Sequence, residues 1–164
     1  MQLQNLLFAL QIGLLLLIFY QDLKYKAVTW VLFPLLFLCF SISALYGNSE
    51  KQQFFLQTSY NLFYLGFVVF GLIAYFYIRS GNLKKSLFRQ IGLGDILFFL
   101  VCTTALDFVL YMFYFMLSLI VSLIVGMIWY RGNTIPLAGI QAICLAPLLL
   151  ALKLNLITIG IFWI

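Results

Sequence analysis

Two aspartates in this chain of 164 residues have positions that would suit them for joint chemistry. Asp22 lies just behind the first apolar run, and Asp95 opens the fourth. Two carboxylates brought close together cannot both ionise at low cost, so one of them retains its proton. The ionised carboxylate can then act as a general base on water, while the protonated one polarises a carbonyl. As neighbours, these side chains would be suited to hydrolysing an amide bond.

Each of the two acids also has a simpler structural explanation. Asp22 can pair with Lys24 or Lys26 at a membrane interface. Asp95 can cap the helix that it opens, since a carboxylate there satisfies unpaired backbone N–H groups. Placing an acidic side chain within the membrane costs free energy, so acids found there usually have a function. Both interpretations stay open at the level of local sequence.

Two glycines precede Asp95 within RQIGLGDILFFLV, residues 89–101. Gly92 and Gly94 permit backbone conformations that other residues resist, and they allow another chain to approach closely. An extended peptide lying against the acids would need such room, and it could use exposed main-chain hydrogen-bonding groups. The pair therefore predicts support for a substrate, with a flexible loop before a helix as the alternative.

The elements that must position these residues are membrane helices. The chain is 66% hydrophobic and 8% charged, with a mean hydropathy of +1.16, whereas a soluble domain usually carries about 25% charged residues. Backbone polar groups in lipid must be satisfied within each segment, which favours helices. We predict an all-α, polytopic bundle of about six transmembrane helices in a single membrane-embedded domain, residues 1–164, with runs at 3–20, 27–46, 54–78, 92–106, 108–130 and 136–152.

The nine basic residues predict the orientation of this bundle. The first, third and fifth loops contain two, four and one of them, respectively. The positive-inside rule therefore places these loops in the cytoplasm and both termini outside. Asp22 and Asp95 then lie on the cytoplasmic side of the lipid bilayer. Topology explains the net charge of +5, so no nucleic-acid partner is predicted.

The turn between the fourth and fifth runs carries no glycine or proline. Residues 96–130 contain one charge, Asp107. A single helix of that length would extend about 52 Å, although the hydrocarbon core is only about 30 Å thick. Asp107 is therefore the predicted marker of the turn. Four polar residues of the third run are predicted to face the bundle interior and bond across helices: Gln57, Thr58, Ser59 and Asn61.

The composition argues against a metal site. The chain has no histidine, and its three cysteines lie inside apolar runs without a C-x-x-C pair. Zinc and iron–sulfur sites need such ligands. No metal and no cofactor is predicted, and the cysteines are interpreted as small packing residues.

Three segments resemble one family of membrane enzymes. Residues 92–95, GLGD, at the start of a transmembrane run, resemble the signature of the GxGD membrane aspartyl proteases. The six-run plan is similar to that of the type IV prepilin peptidases and the related preflagellin peptidases. Residues 21–30, QDLKYKAVTW, resemble the first catalytic segment of that family, and residues 133–143, NTIPLAGIQAI, resemble its Ile-Pro-Phe-x-Pro stretch.

The resemblance implies a function and its residues. Asp22 and Asp95 would form the catalytic dyad of an aspartic endopeptidase, with Gly92 and Gly94 as supporting motif residues. The substrate would be the short cytoplasmic leader of a prepilin-like or pseudopilin precursor, cleaved at the inner membrane of a prokaryote. Larger bacterial members carry a cysteine-bearing N-terminal domain linked to methylation. This chain resembles the short form, so we expect a peptidase without methyltransferase activity.

The chain departs from the family pattern at three positions. Leu97 stands where the family often has lysine, Thr29 where it often has proline, and Gly139 near a second usual proline. A cation near Asp95 would favour its ionised form, so Leu97 leaves open a catalytically inactive member that acts in pilus or secretion assembly. A small transporter with Asp95 or Asp107 in an ion path is a further alternative.

Overall fold

The computed structural model describes residues 2–47, 51–80, 92–129 and 137–154. Every regular element within these four stretches is a helix, which confirms the all-α prediction. In chain order the six helices are α1 (Gln2–Tyr25), α2 (Leu32–Gly47), α3 (Lys51–Ser80), α4 (Leu93–Cys102), α5 (Phe108–Trp129) and α6 (Leu137–Lys153).

Three of these helices are long and apolar enough to cross a membrane. They are α1, α3 and α5, with candidate spans at Gln2–Tyr25, Lys51–Tyr75 and Phe108–Ile128. The other three are shorter apolar helices. At 10 residues, α4 extends only about 15 Å and does not span the bilayer by itself. The chain is a membrane protein with large apolar side chains exposed around its perimeter.

The core lies where α1, α2, α4 and α6 meet. Helix α1 packs mainly against α6 and α2, and α4 packs against α2, α6 and α3. Large side chains with almost no exposed surface fill this contact region, among them Leu15, Phe40, Phe98 and Leu145. Helix α3 lies toward the outside and holds α5 through edge-to-face aromatic contacts of Tyr64.

The fourth predicted run, 92–106, is a shorter helix followed by a turn, so its predicted end was wrong. Helix α4 ends at Cys102. The hydroxyls of Thr103 and Thr104 each donate to the carbonyl three residues earlier, which draws the chain out of regular helix. Asp107 then directly precedes α5, and its carbonyl accepts the N–H of Tyr111 at 2.7 Å. The predicted turn marker is therefore confirmed.

Two polar residues of α3 hold this turn in place. The amide of fully buried Asn61 donates to the carbonyls of Thr103 and Leu106, at 2.9 and 2.8 Å. The side-chain oxygen of Gln57 accepts the N–H of Phe108 at 3.0 Å. These bonds confirm the predicted cross-helix role for two of the four polar residues of the third run. Ser59 instead bonds within its own helix.

Candidate functional site: two aspartates at the N-terminus of the last helix

Asp22 lies on the last turn of α1 and is buried, with 7% of its surface exposed. Its carbonyl accepts the N–H of Lys26 at 2.9 Å, where the chain leaves the helix. Lys26 takes the positive φ of 51° that ends helices. The helix terminus thus determines the direction in which the Asp22 side chain leaves the backbone.

The connection after Asp22 is held to α1 through Thr29. The side-chain oxygen of Gln21 accepts both the N–H and the hydroxyl of Thr29, each at 3.0 Å. A proline at position 29, as the family often has, would supply neither donor. In this chain, hydrogen bonds of Thr29 therefore restrain the loop next to Asp22. A proline at this position would restrain the loop through its rigid ring instead.

Asp95 lies in the first turn of α4 and folds back toward its start. Gly92 is the N-cap residue, and the Asp95 carboxyl lies beside it, close enough for the Gly92 amide to lower the Asp95 pKa. A third helical residue that reaches back toward the cap is a common arrangement at helix starts. The prediction that Asp95 itself caps the helix is therefore wrong, because the N-cap position belongs to Gly92.

The two glycines of the GLGD segment differ in what surrounds them. A Cβ atom on Gly92 would lie 2.6 Å from Oδ2 of Asp95, so this glycine makes room for the acid itself. Its φ of −66° and ψ of 126° are open to any residue, so the expected conformational freedom is not used here. Among the described residues, a Cβ on Gly94 would meet Phe33 alone, at 3.8 Å. The space beside Gly94 is thus open to ordinary contacts.

The N-terminus of α6 brings the two acids together. The N–H of Gly139 donates to Oδ2 of Asp22 at 2.6 Å, and the N–H of Ala138 lies close enough to the Asp95 carboxyl to lower its pKa. The first four N–H groups of a helix lack partners within it, and the helix dipole favours negative charge at that end. Two consecutive amides of α6 therefore face carboxylates that are separated by 73 positions in the sequence.

The electrostatics of the pair follow from this geometry. The pKa of Asp95 is raised to about 6, first by burial and then by the charge of Asp22, against the lowering effect of the Ala138 and Gly92 amides. An acid that feels a second carboxylate retains its proton to higher pH. Leu97, two residues on, is partly exposed and supplies no charge. Asp95 therefore retains its proton to higher pH than an isolated aspartate would.

The sequence missed one contributor to this site. Ala138 acts only through its backbone, so its residue type carries no signal. Gly139 stood out only as a departure from the family pattern. The available clue was general: a helix beginning near residue 137 must find partners for its first amides. Among the described residues, no group of three or more metal-ligating side chains occurs.

Comparison with known proteins identifies the family. The model of the type IV leader peptidase family matches residues 9–129, which is most of the chain and includes both aspartates. The match ends before α6. Comparisons with curated proteins and with solved structures each yield no match. Membership supports a peptidase activity and the membrane location. By this match, in agreement with its all-helical membrane fold, the chain belongs to the type IV leader peptidase family.

Proposed function

We propose that this protein is a membrane aspartic endopeptidase that cleaves the short leader of prepilin-like or pseudopilin precursors, with Asp22 and Asp95 as its catalytic dyad. One observation carries the assignment: the two carboxylates meet at consecutive amides of α6. A pair of purely structural acids would have no reason to share one helix terminus, because like charges in a buried place repel each other.

The chemistry would proceed through one water molecule. The ionised acid removes a proton from water, whose oxygen attacks the scissile carbonyl carbon, while the protonated acid donates to the carbonyl oxygen. The carbon–nitrogen bond of the tetrahedral intermediate then breaks, and the departing amine takes the proton that the base removed from water. The other carboxylate recovers its proton from a hydroxyl of the intermediate as the new carboxyl group forms. The raised pKa of Asp95 favours Asp95 as the acid and Asp22 as the base. No cofactor enters these steps.

The direction of approach follows from the proposed topology. The dyad lies on the last turn of α1 and the first turn of α4, and the distribution of basic residues favours the cytoplasmic side for both. A leader that precedes a hydrophobic helix would reach this side while its helix lies in the lipid. The proposed substrate is therefore a precursor with a short polar leader joined directly to an apolar helix.

Substitution of the two acids tests this proposal. Asp22→Asn and Asp95→Asn are each expected to reduce cleavage of a prepilin precursor in membranes by about 100- to 10,000-fold, the usual contribution of a general acid or base. Precursor and mature product are separated by gel and quantified over time.

Asp107→Asn is the matched control, because Asp107 lies at the opposite end of α4 from the dyad. Its cleavage rate is expected to stay close to that of the wild type. If either Asp22→Asn or Asp95→Asn still cleaves the precursor, the assignment of these two residues as the catalytic dyad is wrong. A wild-type protein that binds precursor without cleaving it would instead support the assembly-factor alternative that Leu97 left open.

A further inference from the structure

Gly139 is packed directly against the Asp22 side chain. A Cβ atom at position 139 would lie 2.9 Å from the Cβ of Asp22 and 3.1 Å from its Oδ2. Real Cβ atoms essentially never approach another atom so closely as the shorter distance. It would also lie 3.4 Å from the carbonyl oxygen of Phe19, on the α1 backbone. Neither the Asp22 Cβ nor this carbonyl can move aside by a rotation of a flexible side chain.

The amides at positions 138 and 139 point to the same pair of acids. Consecutive residues of a helix are displaced by about 1.5 Å along its axis, so carboxylates bonded to consecutive amides are held at a short and defined separation. The amides also stabilise negative charge, which the dyad must carry on one of its two members. Their arrangement matches the requirement of two acids that share a single proton.

Residue 139 is also the place where this chain departs from the family pattern. A proline, which is usual near this position, has no N–H to donate. The donor of the bond to Asp22, Gly139, lies outside the residues 9–129 that match the family model.

We propose that the N-terminus of α6 is a working part of the catalytic site, with Gly139 as a positioning residue that sets Asp22 against Asp95 and Ala138 as the matching amide donor to Asp95. This inference rests on the proposed peptidase function. It deepens that function by assigning to backbone amides the task of orienting the dyad and holding its single negative charge.

Gly139→Ala tests the positioning role in the full-length protein in lipid. The added methyl group must push Asp22 out of place, and a displacement of about 1 Å can cost about 100-fold in rate. We expect kcat for precursor cleavage to fall by about that factor with KM little changed, because the leader contacts are not altered. Gly66→Ala is the matched control, since no other part of the described chain lies within 4 Å of a Cβ atom there.

Ala138→Pro tests the donor role without adding bulk at residue 139. Proline is tolerated in the first turn of a helix, where its missing N–H has no helical partner. Loss of one amide makes the ionised state of the pair less favourable. The acid limb of the pH profile of kcat is therefore expected to move up by about one pH unit, the equivalent of one hydrogen bond to a charged group.

The outcomes separate this inference from the proposed function. If Asp22→Asn and Asp95→Asn abolish cleavage while both α6 variants keep the wild-type kcat and pH profile, the inference is wrong and the dyad stands. If the wild type does not cleave precursor at all, both proposals fall. If Gly139→Ala lowers kcat only in proportion to lost folded protein, measured by its thermal unfolding, and Ala138→Pro has an unshifted profile, Gly139 is a packing residue alone.

Discussion

At the scale of single residues, the GLGD segment shows that neighbouring glycines can serve different purposes. Gly92 is needed because its missing Cβ is the space occupied by Oδ2 of Asp95. Gly94 has no such neighbour among the described residues, and its closest contact would be an ordinary one with Phe33. The first glycine therefore supports the acid locally, while the second leaves open space on the first turn of α4.

Alanine at each glycine should separate these purposes. Gly92→Ala is expected to displace the Asp95 carboxylate and to reduce precursor cleavage by about 100-fold, as for other small misplacements of catalytic groups. Gly94→Ala is expected to fold as the wild type or slightly better, since alanine is favoured over glycine in helices by about 0.5–1 kcal/mol. Cleavage rates and thermal unfolding of both variants check this.

The same pair of variants examines the expectation that the glycines make room for a substrate. If Gly94→Ala keeps the wild-type Tm and loses cleavage, then the open space beside Gly94 is occupied by the bound peptide. If it keeps both, only Gly92 has a steric role in this segment. Full activity of Gly92→Ala would contradict the contact that we describe between Gly92 and Asp95.

At the scale of elements, the short helix α4 depends on α3 for its position. The buried Asn61 amide satisfies two carbonyls of the turn that follows α4, and Gln57 satisfies the first amide of α5. Backbone carbonyls without donors are costly in an apolar interior. Polar side chains of a lipid-facing helix thus make possible the sharp turn that sets the length and direction of α4.

Replacing Asn61 with leucine should therefore destabilise the protein. Asn61→Leu keeps a similar volume and removes both donors, and leaving buried carbonyls without partners costs about 1–3 kcal/mol. We expect a Tm several degrees below that of the wild type in the same detergent, together with slower cleavage as α4 shifts. Ser59→Ala is the control, because Ser59 is exposed and its hydroxyl donates to the carbonyl of Phe55 in its own helix. An unchanged Tm for Asn61→Leu would show that water or another group replaces the amide.

At the scale of the whole molecule, both proposed catalytic residues lie at helix ends that meet in one layer of the bundle. Asp22 is at the end of α1, Asp95 at the start of α4 and Gly139 at the start of α6. The opposite ends of α1 and α6 are joined by other contacts, with Lys153 bonded to Asn5 at 3.0 Å and lying over the ring of Phe8. The site thus lies where the ends of three helices meet. Backbone groups at a helix end lack partners within the helix, so they can bind side chains.

Labelling of single cysteines should reveal the side on which this layer lies. In a variant without the three native cysteines, Lys24→Cys is expected to react with a membrane-impermeant thiol reagent only from the cytoplasmic side. Tyr46→Cys, at the far end of α2, should react only from the other side. Both positions are exposed. The reverse pattern would contradict the orientation predicted from the basic residues and would separate the dyad from a cytoplasmic leader.

Much of the architecture could be predicted because lipid imposes few solutions on an apolar chain. Hydropathy located all six helices, since backbone groups in a membrane must be satisfied within each segment. The start of α5 at Phe108 followed from the length of the apolar stretch, which requires a turn, and from Asp107, the one charge within it. The end of α4 was not predictable in the same way, because it depends on hydrogen bonds from Asn61, which is more than 40 residues away.

The sequence by itself determined the type of this protein: a helical membrane chain whose two aspartates stand at the edges of apolar runs, in a pattern typical of leader peptidases. The tertiary structure alone decided what surrounds those acids. Gly92 proved to make room for Asp95, the amide of Gly139 proved to bind Asp22, and the amide of Ala138 proved to lie close to Asp95. Patterns of residue types report burial and helix ends, whereas a backbone N–H has the same chemistry at nearly every position. Which amides meet which acids is determined only when the helices pack.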